Sequence, residues 1–438
     1  MSRDKRQAPP IAGSCVIAGG GPAGLVLGLL LARAGVKVTV FEKHADFLRD
    51  FRGDTVHPTT LALLDDLGLL PPFDEIPQSR ITRVVFPDAD GVETTIADFT
   101  RLPVRHPYIA MVPQWDLLDL LAQAAARERG FTLLTRHEVT GVLREGDRVV
   151  GVRYRSPEGA GELRADLTVA CDGRGSTIRR ELALPSRSFP VGFDVWWYRV
   201  TSAHPFEESL LPRMGGGRVS IAIPRRGYVQ IAALGPKGTD AEMRQRGIEA
   251  LRADTAALLP ALADDVGSVA SMDDVKHLDV RVDRLRRWLV PGALCIGDAA
   301  HAMSPVGGVG INLAVQDAVA AARVLANPLR RGILHTREGL RALERVQRRR
   351  MLPAAVIQAV QRGLHAGVIM PALRGDPGGP PPPVLRVLRR LPALAVLPAL
   401  IIGVGPRPER APGWARRAPE RTSEPLSAGR RGRRGVHR

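Results

Sequence analysis

CVIAGGGPAGLVLGLLLARAGVKVTVFEK, residues 15–43, carries the strongest indication of fold class in this chain. An apolar strand pattern leads into three glycines spaced as Gly19-x-Gly21-x-x-Gly24, an apolar helix pattern follows, and a second strand pattern ends at Glu42. Gly19 permits a tight turn, Gly21 lets a pyrophosphate approach the backbone, and Gly24 lets the helix pack on the strand. The spacing therefore predicts a parallel strand–helix–strand unit that binds a dinucleotide.

The same unit indicates an adenine dinucleotide. The positive dipole end of the helix N-terminus, at Pro22 and Ala23, and the free N–H groups of its first turn would face the phosphates. Glu42 follows Gly21 by about 20 residues, where a carboxylate accepts hydrogen bonds from ribose hydroxyls, and Lys43 comes next. Because the sequence contains one such unit, the dinucleotide at this stage is either NAD(P) or FAD.

A second glycine-rich segment, GDAAHAMSPVGGVGIN at residues 297–312, lies between a strand pattern and a long apolar helix pattern. Asp298 follows the strand, as an acceptor for sugar-like hydroxyls would, and Ile311 is expected to begin the helix. Between them, residues 305–310 form a loop with little side-chain bulk and no Lys or Ser/Thr phosphate clamp. Such a helix N-terminus suits delocalised negative charge, like the N1–C2=O edge of a reduced flavin, which the dipole stabilises by roughly 0.3–2 kcal/mol.

Composition and charge narrow the class of protein. The 438 residues are 45% hydrophobic and 24% charged, which is the balance of a soluble globular protein. The net charge of +17 is uneven, because residues 405–438 hold ten Arg and three Glu. No basic helix is interleaved with aromatic residues, so we expect solvated charge and no nucleic-acid partner. Cys15, Cys171 and Cys295 lack CxxC spacing and lie in or beside apolar runs, which favours buried thiols, no metal site and a cytoplasmic location.

The two ends of the sequence bear on membrane attachment. The basic start has no apolar segment long enough for a signal peptide. The longest late apolar run, residues 391–405, is interrupted by Pro392 and Pro398 and is too short to span a bilayer. A helix packed on the core is favoured for this run, and weak association of the C-terminal region with a membrane surface is left open.

The strand and helix patterns indicate two entangled domains. Short strand patterns between residues 186 and 283 surround one helix, while apolar strands and helices on either side belong to the first domain. The predicted fold class is α/β, with a Rossmann-like domain, an inserted sheet-rich (α+β) domain and C-terminal helices. The boundaries are 12–72, 113–185 and 284–330 for the Rossmann-like domain, 73–112 and 186–283 for the sheet domain, 331–405 for the C-terminal helices, and 406–438 for an Arg/Pro-rich tail expected to be disordered.

A third motif, CDGRGSTIRR at residues 171–180, follows a buried strand pattern and matches DGxxSxxR through Asp172, Gly173, Ser176 and Arg179. With the two glycine turns in the same order and spacing, the chain resembles the FAD-dependent aromatic hydroxylases, the single-component flavoprotein monooxygenases of the para-hydroxybenzoate hydroxylase type. FRGDTVHPTT and VPQWDLLDLL also look like segments of this family.

The resemblance covers about residues 12–405 and implies that both glycine turns hold one FAD. It implies that Arg52 and Gln114 lie near the pyrophosphate and ribityl chain, that Asp298 binds the ribityl hydroxyls, and that the backbone of residues 310–312 meets the pyrimidine edge. The cofactor residues that it implies are Gly19, Gly21, Pro22, Ala23, Gly24, Glu42, Lys43, Arg52, Gln114, Asp172, Gly173, Arg179, Gly297, Asp298, Pro305, Gly310, Ile311 and Asn312.

The resemblance also implies a reaction. NAD(P)H would reduce FAD, O2 would add to the flavin, and the hydroperoxide would transfer one oxygen atom to an aromatic, phenolic or polyketide/quinone-like small molecule. That substrate would lie against the sheet of residues 186–283. Trp196, Trp197 and Tyr198 are neighbours on one strand, so alternate members face opposite sides and at least one is expected to point to the substrate cavity. Trp197 and Tyr198 are the catalytic candidates among them. His301 is a further catalytic candidate but is favoured as a structural hydrogen-bonding residue, as His57 is favoured as a helix-start residue.

Two other functions stay open on the sequence. One is a flavoprotein reductase or dehydrogenase of the same fold that acts on isoprenoid or polyketide double bonds without inserting oxygen. The other is a non-catalytic or membrane-associated FAD-binding redox protein. The catalytic base is not identified, and either a monomer or a homodimer is expected.

Overall fold

The computed structural model describes residues 12–48, 55–87, 92–202, 209–225, 227–376 and 379–418. In chain order its strands are β1 (Ser14–Ala18), β2 (Lys37–Glu42), β3 (Thr55–Val56), β4 (Ser79–Ile81), β5 (Arg83–Pro87), β6 (Glu93–Asp98), β7 (Ile109–Met111), β8 (Phe131–Thr135), β9 (Glu138–Glu145), β10 (Arg148–Ser156), β11 (Gly159–Arg164), β12 (Leu167–Ala170), β13 (Ser186–Phe189), β14 (Phe193–Thr201), β15 (Ser209–Gly215), β16 (Arg218–Arg225), β17 (Tyr228–Pro236), β18 (Lys276–Leu278), β19 (Val282–Leu285), β20 (Leu289–Val290) and β21 (Ala293–Cys295). Its helices are α1 (Pro22–Arg33), α2 (Pro58–Asp66), α3 (Leu70–Asp74), α4 (Gln114–Ala126), α5 (Thr177–Glu181), α6 (Asp240–Leu258), α7 (Val309–Arg330), α8 (Arg337–Leu364), α9 (Met370–Leu373), α10 (Pro382–Arg390) and α11 (Val396–Gly403).

The first glycine turn joins β1 to α1. Gly19 has a φ of +102°, a conformation that L side chains rarely adopt, and Pro22 opens the helix, where its fixed φ is already helical. A Cβ atom at Gly24 would lie 2.0 Å from the Gly19 carbonyl oxygen. The turn is therefore compact because glycines stand at both places where a side chain would collide.

A six-stranded sheet in the order β20-β21-β12-β1-β2-β8 forms the centre of the first domain. Its neighbouring strands are parallel except for the β20–β21 pair. This arrangement confirms the predicted α/β class. Because β1, β12 and β21 are neighbours and parallel, their carboxyl ends bring the three glycine-rich motifs to one edge of the sheet.

The second sheet combines two distant segments of the chain. Its order is β18-β14-β17-β16-β15-β5-β6, and β5 joins it by pairing parallel with β15. On one face Trp196, Tyr198 and Val200 pack with Leu251 of α6 and with Leu262. The opposite face of β14, β16 and β17 faces the first domain.

Helix α7 begins at Val309, two residues before the predicted start at Ile311. Gly307 and Gly308 have φ of +80° and +63°, a left-handed conformation that cannot belong to the helix. The helix can therefore begin directly after them, earlier than expected. Within the described part of the chain, one helical segment, Val306–Arg330, is long and apolar enough to cross a membrane, and 78% of its most apolar window is buried inside the fold. It packs against α1 and α8 as a core helix.

Residues 406–418 are folded onto the first domain, which corrects the expectation of a disordered tail for this part. The buried Arg33 donates from Nη1 to the Ala415 carbonyl at 2.8 Å, and Arg350 donates from Nη1 to the Arg407 carbonyl at 3.1 Å. Glu409, which is also buried, donates its backbone N–H to Gln316. Arginine-rich composition suggested solvent exposure, but buried guanidinium groups elsewhere need these backbone acceptors. The remaining residues of the tail lie outside the described part.

Candidate active site

A cavity of about 460 Å³ lies between the six-stranded and seven-stranded sheets. Three loops at the carboxyl ends of β1, β12 and β21 contribute to it, through residues 19–23, 171–175 and 303–311. Side chains of β14, β16 and β17 line the opposite side. One cavity therefore connects the two glycine turns that the sequence shows almost 280 residues apart.

Most of the residues that the sequence assigns to the cofactor share this cavity. Those that line it are Gly19, Gly21, Pro22, Ala23, Glu42, Lys43, Gln114, Asp172, Gly173, Asp298, Pro305, Gly310 and Ile311. Gly24, Arg179, Gly297 and Asn312 do not line it, and Arg52 lies outside the described residues.

The residues that miss the cavity hold its walls in place. Asn312 Oδ1 accepts hydrogen bonds from the hydroxyls of Thr59 and Thr60 at 2.7 and 2.8 Å, which ties α7 to α2. Arg179 Nη1 lies 2.8 Å from Asp283 Oδ1 and links α5 to β19. The polar groups of Asn312 and Arg179 bind neighbouring elements of the fold, so these side chains position the cavity wall and do not face the cavity.

Glu42 and Gly21 shape the end of the cavity near α1. The buried Glu42 carboxylate accepts from the Gly20 backbone N–H through Oε2 and from the His44 backbone N–H through Oε1, both at 3.0 Å. These bonds hold the carboxylate at the end of β2, on the cavity wall. A Cβ atom at Gly21 would meet nothing within 4 Å, so the space before the α1 N-terminus is open. This end can accept a diphosphate and a ribose.

Asp172 presents an unsatisfied oxygen on the cavity wall. Its Oδ2 accepts from the Thr177 backbone N–H at 2.8 Å, while its buried Oδ1 has no hydrogen-bond partner among the described residues. Burial raises the pKa of this carboxyl, although hydrogen bonds from Ser176 and the start of α5 oppose the shift. A buried acceptor without a partner is unfavourable, so a ligand that donates a hydrogen bond fits here.

Asp298 lies on the wall beside the second glycine turn. Burial raises the pKa of its carboxyl, and interactions with Arg174 and His301 act in the opposite direction. Arg174 lines the same cavity and donates from Nη1 to the Asp279 carbonyl at 3.2 Å. A half-buried carboxylate on a cavity wall is suited to accept from ligand hydroxyls.

The second glycine turn is held from β3 and α2. Thr55 Oγ1 donates to the Gly308 carbonyl at 2.7 Å, and His57 Nε2 lies 3.0 Å from the same oxygen. Burial lowers the pKa of His57 to about 4, so the ring is neutral near pH 7 and donates this hydrogen bond. Both bonds fix Gly308 directly before α7, whose first residues Gly310 and Ile311 face the cavity.

Two of the three catalytic candidates do not reach the cavity. Trp197 lines it, but Tyr198 points to the other face of β14, where its hydroxyl lies 2.8 Å from Thr255 Oγ1. His301 is 1% exposed, and its Nε2 lies 2.5 Å from Asp317 Oδ2. Tyr198 faces away from the cavity because side chains alternate along β14. His301 is held away from it by the buried carboxylate of Asp317. The His301 side chain is therefore buried against Asp317 and does not line the cavity.

Sequence reasoning missed most of the side chains opposite the glycine turns. We call Trp197, Ile221, Ile223, Gln230 and Ala232 the sheet wall, because they share one face of β14, β17 and β16. Trp197 pairs with Ala232, which pairs with Ile221. Strand register alone brings these residues together, so a single-strand pattern carries no signal for them.

A polar end adjoins the sheet wall. Arg225 lines the cavity and donates from Nη2 to Gln230 Oε1 at 2.8 Å. Arg199, opposite Gln230 in the β14–β17 register, has its guanidinium 5.0 Å from the centre of the Tyr228 ring. The wall therefore changes from apolar to cationic along the strands. Among the described residues, no group of three His, Cys, Asp or Glu side chains could hold a metal ion.

Comparison with known proteins identifies the class of cofactor. A family model described as an FAD binding domain matches residues 13–345. The 6-methylpretetramide 4-monooxygenase of Streptomyces rimosus is 36% identical over 383 residues, which is 84% of this chain and 88% of that protein. The chain belongs to the FAD-dependent aromatic hydroxylases. The resemblance drawn from the three motifs is confirmed.

Other relatives of this flavin monooxygenase agree. The para-nitrophenol 4-monooxygenase of Pseudomonas sp. (strain WBC-3) is 28% identical, over 72% of this chain and 78% of that protein. The solved structure of a probable FAD-dependent monooxygenase from Pseudomonas aeruginosa has a TM-score of 0.69 at 21% identity, covers 81% of this chain and 96% of its own, and shows the same fold. An anhydrotetracycline hydroxylase structure from Streptomyces rimosus has a TM-score of 0.62 at 25% identity, over 89% of this chain and 75% of its own.

The protein is thus an FAD-dependent monooxygenase that uses NAD(P)H and O2 on an aromatic small molecule. The reductase and non-catalytic readings have no support from these relatives. The observed residues fit FAD, because the open space at Gly21, the unsatisfied oxygen of Asp172 and the carboxylate of Asp298 lie along one cavity. When bound, FAD supplies the electron transfer and the activation of O2, and the chain supplies binding, orientation and exclusion of water.

Proposed function

We propose that this monooxygenase hydroxylates a polycyclic aromatic polyketide that carries phenol or enol groups. The observation that carries the proposal is the sheet wall, a flat apolar surface of Trp197, Ala232 and Ile221 that faces the second glycine turn across the cavity. Fused aromatic rings are complementary to such a surface, because an indole ring offers large contact area and stacking. The 36% identity to a 6-methylpretetramide monooxygenase supports the same substrate class.

The polar end of the wall gives the substrate an orientation. A guanidinium stabilises an ionised oxygen, and the Arg225–Gln230 pair places one beside the apolar surface. A phenol or enol that binds there is favoured in its ionised form, which is the electron-rich form needed for transfer of an electrophilic oxygen atom. Arg225 thus binds the ionised oxygen, while Trp197 orients the ring system.

The residues that line the other half of the cavity would bind the cofactor. Glu42 accepts hydrogen bonds from the adenosine ribose, and Asp298 accepts them from the ribityl hydroxyls. The Gly21 backbone and the N-terminus of α1, which begins at Pro22, face the pyrophosphate. The N-terminus of α7 meets the pyrimidine edge at Gly310 and Ile311. We retain Arg52 and Gln114 as contacts of the pyrophosphate and ribityl chain.

A substrate screen tests the proposal. The FAD-loaded enzyme is mixed with NADPH, 18O2 and a panel of polycyclic polyketides, with single-ring phenols as a control set. Polyketide-stimulated NADPH oxidation together with one 18O atom in the product supports the proposal. Products that contain no label, or stimulation by single-ring phenols alone, would contradict it.

We also propose that the C-terminal face binds weakly to an anionic membrane surface in the cytoplasm. Its exposed apolar side chains are Val384, Val387, Leu391, Leu394, Leu397, Leu400 and Ile401. Exposed Arg386 and Arg390 on α10 give this face the positive charge that complements anionic headgroups. Sedimentation with phosphatidylglycerol vesicles, but not with phosphatidylcholine vesicles, is expected. A protein that stays in solution and forms a dimer dissociated by Leu391→Glu would instead show a self-association surface.

A further inference from the structure

Three arginines surround the ring of Phe189, on the face of β19 that carries Arg284. The guanidinium carbons of Arg187, Arg284 and Arg362 lie 5.0, 5.7 and 4.6 Å from the centre of the Phe189 ring. Phe189 is buried, Arg284 is half-buried, and the other two arginines are exposed. We call these three residues the arginine cluster.

The cluster is unfavourable without an anion. Arg187 and Arg284 stand directly opposite each other in the antiparallel β13–β19 pair, where like charges destabilise a sheet. Burial lowers the pKa of Arg284, and the charges of Arg187 and Arg362 lower it further. Among the described residues, the Arg284 side chain hydrogen-bonds to a neutral group, since its Nη1 donates to Gln358 Oε1 at 2.8 Å.

No carboxylate among the described residues forms an ion pair with the cluster. The nearest one in sequence, Asp283, alternates to the opposite face of β19 and pairs with Arg179 at 2.8 Å. The groups that face the cluster from α8 are Arg362 itself and the amide of Gln358. Cation–π contact with Phe189 places the three guanidinium groups around one point but does not neutralise their charge.

The cluster adjoins the wall of the cavity. Gln358, which receives the bond from Arg284, donates from Nε2 to the Ala302 carbonyl at 3.0 Å and to the Asp283 carbonyl at 2.8 Å. Met303 and Ser304, the next residues along the chain, line the cavity. The buried Gln358 side chain therefore links Arg284 to the segment that forms one wall of the cavity.

We propose that Arg187, Arg284 and Arg362 bind the 2′-phosphate of NADPH. The reaction needs a nicotinamide dinucleotide in addition to FAD, and the sequence contains one dinucleotide-binding unit, which FAD occupies. Guanidinium groups bind phosphate oxygens through paired, charge-assisted hydrogen bonds, and a phosphate monoester carries nearly two negative charges for three positive ones. The site favours NADPH over NADH, because NADH lacks this phosphate. The inference rests on the proposed function only in that a nicotinamide dinucleotide is the reductant.

Equilibrium binding without an aromatic substrate tests the site. Calorimetry on the FAD-loaded enzyme compares 2′,5′-ADP with 5′-AMP for the wild type, Arg187→Gln, Arg362→Gln and the double variant. Each single substitution is expected to weaken 2′,5′-ADP binding roughly tenfold, because it removes charge-assisted hydrogen bonds, and to leave 5′-AMP binding unchanged. Arg345→Gln, an exposed arginine on the same helix α8, is the matched control.

The steady-state kinetics of NADPH and NADH oxidation, measured without a polyketide, gives a second readout. The KM for NADPH is expected to rise in the cluster variants, while kcat and the KM for NADH stay the same. Unchanged 2′,5′-ADP affinity in the double variant, or an equal loss in Arg345→Gln, would overturn the proposal. Competition by inorganic phosphate as strong as that by 2′,5′-ADP would also overturn it, because it would indicate a general anion site. These results do not depend on the polyketide, so they are separate from a failed substrate screen.

Discussion

Arg350 and Asp317 form an ion pair inside the core, with 2.8 Å between Arg350 Nε and Asp317 Oδ1 and both side chains almost fully buried. The other carboxylate oxygen accepts from the Gly297 backbone N–H at 3.1 Å and from His301 Nε2 at 2.5 Å. Burial by itself would raise the pKa of Asp317, but His301 and Arg350 hold it below its usual value. One carboxylate on α7 therefore fixes the turn that leads to Asp298.

Removing one partner of this pair should destabilise the fold. We expect Arg350→Gln to lower the free energy of unfolding by about 3–5 kcal/mol at pH 7, because a buried carboxylate loses its cation. Urea denaturation measures this loss, and Arg348→Gln on the exposed side of α8 should change stability by less than about 0.5 kcal/mol. Because the pKa of Asp317 is lowered in the folded state, its contribution is present above about pH 4 and is lost as the pH falls further. Equal losses in the two variants would contradict this account.

Trp197 and Tyr198 should separate function from stability. We expect Trp197→Ala to raise the KM for the aromatic substrate about tenfold or more and to increase NADPH oxidation that yields no product, because the sheet wall loses its stacking surface. Tyr198→Phe should leave turnover unchanged and lower stability by about 1 kcal/mol, since its hydroxyl bonds Thr255 away from the cavity. Comparison of oxygenated product with NADPH consumed decides between them. A turnover defect in Tyr198→Phe would show that the strand faces are assigned wrongly.

His57 should make stability depend on pH. Its pKa is about 4 in the folded protein and about 6.5 when exposed, so its contribution is complete above pH 6.5 and declines as the pH falls towards 4. The shift corresponds to about 3 kcal/mol, and His57→Gln should flatten the stability profile between these pH values. Unfolding free energies at pH 7.5, 5.5 and 4.5 test this, with His335→Gln at an exposed position as control. The same slope in wild type and His57→Gln would refute the assignment.

Gly24 should be needed for the cofactor turn. A methyl group at this position would lie 2.0 Å from the Gly19 carbonyl oxygen, so we expect Gly24→Ala to displace the turn and to lower the FAD bound per protein at least tenfold. Gly363→Ala is the matched control, because a Cβ there meets nothing within 4 Å on an exposed part of α8. It should retain FAD and gain about 0.5–1 kcal/mol of stability. Flavin absorbance of the purified proteins gives the comparison, and normal FAD content in Gly24→Ala would be the opposing result.

Local patterns predicted the elements of the first domain with small errors. The turn between β1 and α1 follows from steric limits on Gly19 and Gly24, which act over a few residues, and the structure contains it as predicted. FAD could also be predicted from the sequence, because the first glycine turn has dinucleotide spacing and the second lacks a phosphate clamp and suits the flavin edge. Each turn precedes a helix of its own. The start of α7 was misplaced by two residues, since the left-handed Gly307 and Gly308 are indistinguishable by sequence from other loop glycines.

The sequence by itself determined the α/β class and the dinucleotide-binding turn, because glycine spacing and apolar periodicity report on hydrogen bonds and contacts close in the chain. The class of cofactor and the reaction type came from the resemblance of three sequence motifs to the FAD-dependent aromatic hydroxylases. Only the tertiary structure decided that Trp197 faces the cavity while Tyr198 does not, that residues 406–418 cover buried arginines, and that Arg187, Arg284 and Arg362 converge on one ring. Those outcomes depend on strand register and helix packing between residues far apart in sequence. Such contacts are set by the free energy of the whole core, and no short pattern encodes them.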